Sequence, residues 1–221
     1  MYRRVDCLVQ RAPRMQVVSE PRQLTAKGAA TRQRIIDQAA DQVLARGVGA
    51  TSLDDVRAAT KTSKSQLFHY FPGGKHELVR AIAACQGERV LQAQRPAIDD
   101  LGSWDSWRDW RDAIIAYYTR VDGVMGCPIG SLTSEVAPLD PILRNDLAAY
   151  FRRWAALLAD GVRRLRDHGL VDDGVDPDAM ATELLAAVEG GLVLSQVAGS
   201  LRPLEQALDQ ALAHLRRHSV Q

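Results

Sequence analysis

Along this chain the apolar positions recur at helical spacing. In "TRQRIIDQAADQVLARGVG" they fall at 35, 36, 39, 40, 43 and 44, one stripe of a helix, with Thr31 placed to cap its start and Gly47 to stop it. "TSLDDVRAAT" has Ser52 followed three residues on by Asp55, the spacing of a capping box, and predicts a short helix. After the turn "KTS", a second short helix, "SKSQLFHYF", ends at Pro72, which cannot extend it. A longer helix is expected from about 75 to 94, ahead of Pro96. Trp107, Trp110, Ile114, Tyr117 and Val121 follow at helical spacing. "CPIGSLTSEVAP" predicts a short helix closed by Pro138, and "PILRNDLAAYFRRWAALLADGVRRLRDHG" a long amphipathic one ending at Gly169. "DPDAMATELLAAVEGGLVLSQVAG" and "PLEQALDQALAHLRRH" complete the pattern. No β-type alternation persists and no βαβ unit or internal repeat is present. The expected fold is all-α, about nine helices, preceded by a flexible basic arm over 1–26, which has several Arg, Pro13, Pro21 and no helical period.

Charge changes this picture. The chain of 221 residues has a net charge of only +1, but residues 1–80 carry +7 and residues 81–221 carry −6. A basic end on an acidic body points to a polyanion as partner of the basic end. No apolar run reaches the roughly 18 residues that span a bilayer, and "MYRRVDCLVQRAPRM" lacks the apolar segment of a secretory signal. Cys7, Cys85 and Cys127 form no metal or disulfide pattern. The expected setting is the cytoplasm, with no metal, cofactor or membrane partner.

The stretch "AATKTSKSQLFHYFPGGKHELV" carries the chemistry. A short helix, a tight turn and a second short helix describe a helix-turn-helix, whose second helix enters the major groove of DNA. Leu67 and Phe71, one turn apart, can anchor that helix, which leaves Lys64, Ser65, Gln66 and His69 outward. Gln pairs with adenine, Lys with guanine or phosphate, and Ser with either. Tyr70 and Lys75 suit phosphate oxygens, as does Thr51 ahead of the first short helix. An ordinary helical hairpin with a polar surface is the alternative.

Residues 28–80 resemble the DNA-binding domain of the TetR (tetracycline-repressor-like) family. The resemblance is carried by "G-x-x-x-T-S-L-D-D-V" at the first short helix, "S-K-x-x-L-F-x-Y-F" in the second and "K-x-E-L" after the break. It implies a homodimer on a palindromic double-stranded operator, usually repressing, and a larger helical domain that binds a small-molecule effector and releases the DNA. It divides the chain into a reading domain at 27–75 and a sensing and dimerisation domain at 76–221. Thr62 and Ser63, at the turn into the second helix, join the candidate DNA contacts. Thr62 stands where the family usually has Val or Ala. Phe68 stands where Tyr is frequent, so it packs or meets a thymine methyl.

In the resembling family the last two long helices pair between subunits, which makes Leu184, Val188, Leu192, Gln196, Leu208 and Leu212 the expected dimer contacts. Aromatics suit a pocket for a planar or apolar ligand, so Trp107, Trp110, Ile114, Tyr117, Trp154, Cys127 and Glu189 are candidate lining residues, although an aromatic stripe is more often core. Glu135 and Glu189 lie within apolar stretches and can face a polar ligand group or solvent. Cys127 ahead of Pro128 sits at a helix start, where a thiolate is stabilised. This opens a redox- or electrophile-sensing alternative, against the plainer reading of a small buried side chain. A thiol enzyme would need a βαβ domain that the pattern lacks, and no enzymatic activity is expected.

Overall fold

The computed structural model describes residues 24–120 and 126–220. Most of the expected arm, 1–23, and Val121 lie outside the described residues. Within them the chain forms nine α-helices and one 3-10 turn: α1 Ala26–Arg46, α2 Leu53–Thr60, α3 Lys64–Tyr70, α4 Gly74–Ala93, the 3-10 turn Ala97–Asp99, α5 Trp104–Arg120, α6 Pro128–Val136, α7 Pro141–Asp167, α8 Pro177–Ala198 and α9 Arg202–Arg217. The all-α expectation holds, and the described residues contain no strand, only an isolated bridge between Val171 and Ser219.

The helix ends follow their caps. Ser52 accepts from the Asp55 backbone N–H and the Asp55 carboxylate accepts in return, completing the expected box. Gly47, at φ +82°, stops α1 in a conformation that costs a glycine nothing. The start of α1 differs from expectation. Thr25, not Thr31, is the N-cap, and its hydroxyl accepts from Gly28 N. Thr31 lies within the helix, where its hydroxyl donates back to the Lys27 carbonyl.

The first three helices pack against α4. Ile35, Ile36 and Ala39 of α1, Val56 of α2, and Leu67 and Phe71 are buried together with Leu78 and Ile82 of α4. Arg34 donates to the Thr60 carbonyl at 2.7 Å, tying the end of α2 to α1. α4 packs on α1, with Cys85 and Arg89 meeting Gln33 and Asp37, and also on α6 and α7, so one helix joins the N-terminal helices to the rest of the chain.

The body closes around the tryptophans. The indole N–H groups of Trp110 and Trp154 both donate to Gln94 Oε1, at 2.8 and 3.0 Å, while Gln94 Nε2 donates to the Val90 carbonyl. Trp107 stands edge-on to Trp110 with ring centroids 5.6 Å apart, and Ile114 is buried beside them. The pocket expectation is therefore corrected for Trp110, Ile114 and Trp154, while Trp107, buried as it is, borders a cavity of about 370 Å³ together with Trp104, Arg111 and Leu212. Large apolar rings release most free energy when removed from water altogether, and one buried amide satisfies two indoles. Gln94→Leu should orphan both N–H groups at about 1–3 kcal/mol each, a loss that urea unfolding would measure.

α8 is the most apolar helix. By length and composition it could span a bilayer, with mean hydropathy 1.2, where the sequence reading expected no such segment. It packs on α7 and α9 instead. Gly191 permits this: a Cβ there would stand 2.8 Å from the Leu204 backbone. Leu184, Val188, Leu192 and Leu208 are fully buried within the protomer and Leu212 is half-buried. The first four are not available as dimer contacts, because the α8–α9 seam consumes them. Gln196 is exposed, with its amide against Gly126. The apolar side chains that α8 leaves in solvent are Val193, Leu194 and Val197, at 59, 60 and 88% exposure.

Candidate nucleic-acid interface and effector region

α3 presents Lys64, Ser65, Gln66, Phe68 and His69 to solvent, while Leu67 is buried beneath them. Phe68 is 41% exposed, an apolar contact surface of the kind that meets a thymine methyl. His69 stands edge-on to Tyr70, ring centroids 5.0 Å apart. Tyr70, the last residue of α3, and Lys75, at the start of α4, are half-buried. Lys61, Lys64 and Lys75 have no carboxylate partner among the described residues, so their charge is free to face a polyanion.

Two expected contacts are corrected. Thr51 is buried and its hydroxyl donates to the Gly47 carbonyl at 2.8 Å. Thr62 is buried as well, its hydroxyl turned to the Thr60 carbonyl. Both hydroxyls satisfy backbone acceptors in the turns, where an unmet carbonyl would be costly. The exposed hydroxyl ahead of α2 is Ser52. One pairing escaped the sequence reading. Ser63 and Gln66 form a second capping box: Gln66 N donates to Ser63 Oγ and Ser63 N donates to Gln66 Oε1, each at 3.1 Å. The S-x-x-Q spacing was the available signal. Gln66 is thus held in place, with Nε2 and one lone pair of Oε1 left for a base.

The residues expected to line an effector pocket include Cys127, at the start of α6. Cys127 is its N-cap, and Sγ accepts from Gly130 N at 3.4 Å. The thiol is buried, and burial together with the nearby Glu189 carboxylate pushes its pKa far above the ordinary range. It stays a neutral thiol, so the redox-sensing and thiol-enzyme alternatives lose the exposed thiolate they require. Burial also raises the pKa of Glu189, whose Oε1 has no hydrogen-bond partner. Because the folded form disfavours the ionised carboxylate, its contribution to stability is greatest at low pH and falls as pH rises through the raised value. Glu189→Gln should therefore gain stability over the parent as pH rises from 4 to 8, a trend that urea unfolding across that range would check.

Tyr117 and Tyr118 border a cavity of about 600 Å³ beside α4 and Pro128. Trp110, Trp154 and Ile114 do not face it. At the far end of α6, Glu135 accepts hydrogen bonds from the backbone N–H groups of Val48, at 2.8 Å, and Gly49. The C-terminal end of α1 is thereby clamped to the body.

Two family models match this chain. The one described as "Bacterial regulatory proteins, tetR family" covers residues 35–82, and "Tetracyclin repressor-like, C-terminal domain" covers 108–211. The chain is 25% identical over 182 residues to the helix-turn-helix-type regulator YxaF of Bacillus subtilis strain 168, spanning 82% of this chain and 92% of the relative. It is 24% identical over 184 residues to the transcriptional repressor DhaR of Mycobacterium sp. strain GP1, spanning 80% and 88%. In structure it is similar to a TetR transcriptional regulator from Chloroflexus aurantiacus, with a TM-score of 0.76 at 24% identity over 88% of this chain and 98% of that one. The reading head and the body each match their half of one family, and the chain belongs to the tetR family of bacterial transcriptional regulators.

Proposed function

We propose that this regulator is a cytoplasmic, homodimeric repressor that holds a palindromic operator and is released from it by a small molecule. The observation that carries the reading is the α3 surface: five exposed side chains suited to bases and phosphates, no acidic residue among them, and free lysines on either side. Residues 27–75 act as the reading head and 76–221 as the sensing and dimerisation body. Repression is supported by the relative DhaR, which is named a repressor, and by the similar fold of SmeT, the repressor of a Stenotrophomonas maltophilia multidrug efflux pump, at a TM-score of 0.62 and 22% identity.

Selection of binding sites from a random duplex pool tests this reading. The parent protein should return an inverted repeat whose half-sites lie about one helical turn, roughly 34–36 Å, or a multiple apart. Lys75→Ala should weaken binding to every sequence and flatten the salt dependence by about 0.9 in the log–log slope for the phosphate contact it loses. Gln66→Glu keeps the capping box intact but replaces the amide by an acceptor suited to the cytosine amino group. It should change the preferred base at one position of each half-site. An unchanged consensus would remove Gln66 from the base-reading set.

A further inference from the structure

Gln86 of α4 separates two cavities. One, of about 200 Å³, lies between α1, α4 and α6, with apolar walls from Val43, Ile82 and Leu132 and with Glu135 at its rim. The other, of about 600 Å³, runs past Pro128 toward Tyr117 and Tyr118. Leu44, Gln86 and Pro128 border both. Gln86 is 6% exposed, yet its amide makes no hydrogen bond with any described residue. Its amide atoms are not among the sealed, unpartnered polar atoms of the described residues, so they open on the adjoining cavity space, where a partner from outside the fold can reach them. A side chain kept in this state beside open volume is one whose partner is not part of the fold.

The surroundings define that partner. Arg89, beside Gln86 in the larger cavity, is already paired with Asp37 at 2.5 Å. The Glu135 carboxylate is taken by two backbone N–H groups. Arg120 and Asp41 border the larger cavity too, but both are exposed and of opposite sign. Beside Gln86 the charges of Arg89 and Glu135 are already paired, so a ligand group there meets the amide first. An amide both donates and accepts, and the two tyrosine rings offer a wall for a flat apolar body.

We propose that the joined cavities form an effector site at the junction of head and body, and that it takes a small, uncharged, largely apolar molecule whose single hydroxyl, a phenol or an alcohol, is read by Gln86. The inference rests on the effector-released repressor reading. It also places the ligand where it can act, since Glu135 forms the rim of the smaller cavity and clamps the end of α1. A ligand that spreads α6 from α1 draws Glu135 away from Val48 and Gly49 and frees the head.

The test uses 2-naphthol as probe and naphthalene as the partner lacking the hydroxyl. Binding is measured by isothermal titration calorimetry and operator release by mobility shift on the full chain. The parent should bind 2-naphthol and lose operator affinity at least tenfold on saturation. Gln86→Leu should bind 2-naphthol at least tenfold more weakly while its naphthalene affinity is kept or increased. Ser131→Phe, an exposed α6 position bordering the smaller cavity, leaves Gln86 in place and should block 2-naphthol by filling the space. If 2-naphthol releases operator from both variants as from the parent, the site is wrong and the effector reading stands. If binding depends on Gln86 but operator affinity does not change, the site stands and the effector reading fails. No binding by the parent up to the solubility limit of 2-naphthol overturns the proposed ligand class.

Discussion

Val193→Arg should convert the protein to a folded monomer and lower operator affinity by about 10²–10⁴-fold, the factor lost when two linked reading heads become independent. Val193, Leu194 and Val197 expose apolar surface on one side of α8 while the other side is sealed against α7 and α9. Gly190 lies one turn before Leu194, and a Cβ there would meet nothing within 4 Å. A glycine inside a helix costs about 1 kcal/mol relative to alanine, and nothing among the described residues packs against this one to offset it. A partner helix approaching that face would. A charge on this strip would be buried without a partner in the dimer, a cost of several kcal/mol, yet would sit harmlessly in water in the monomer. The contrast with Leu192→Arg is the control. Leu192 is fully buried in its own chain, so that variant should unfold instead of dissociating. Sedimentation combined with circular dichroism separates the two results. A Val193→Arg variant that stays dimeric at low micromolar concentration would place the interface on another face.

That contrast also shows what the sequence could and could not convey. Helical periodicity located α8 and α9 and marked Leu192 and Leu208 as apolar, but a helix that is apolar nearly all round does not say which side faces its own core. Only the close α8–α9 approach, which Gly191 permits against Leu204, decides this. The tryptophans follow the same logic. Spacing placed Trp107 and Trp110 on one stripe, while Trp154 lies on α7 and the buried amide that joins it to Trp110, Gln94, caps the end of α4. The reading helix was legible in more detail because its determinants are local. Caps, turn and anchoring residues all lie within about ten positions, and the residues expected to be exposed on α3 are exposed. Thr51 and Thr62 were misplaced because a hydroxyl in a tight turn has a nearby carbonyl to satisfy, a local competitor that composition alone does not reveal.

The second large effect concerns the link between the two ends of the molecule. Glu135→Ala should weaken operator binding by about tenfold and reduce the effector's influence on it toward zero. Glu135 accepts from two consecutive backbone N–H groups, Val48 and Gly49, just past the end of α1. Hydrogen bonds to a charged group contribute about 1.5–3 kcal/mol each, less where water competes, as at this exposed carboxylate. Gly47 is shaped to the contact: a Cβ there would lie 3.0 Å from Glu135 Oε2, and φ is +82°. With the clamp intact, a shift of α6 at the effector cavities is transmitted to the head. With it removed, the head is held by α4 alone, samples more orientations and meets both half-sites less often. Linkage requires that the effector weaken DNA binding by the same factor by which DNA weakens effector binding, so loss of the clamp should bring both factors toward one together. Glu135→Gln retains a single neutral acceptor and should fall between alanine and the parent. Operator titrations with and without saturating effector, across the three proteins, measure the coupling directly. If Glu135→Ala responds to effector with the parent's full factor, coupling runs through α4 and the clamp serves stability alone.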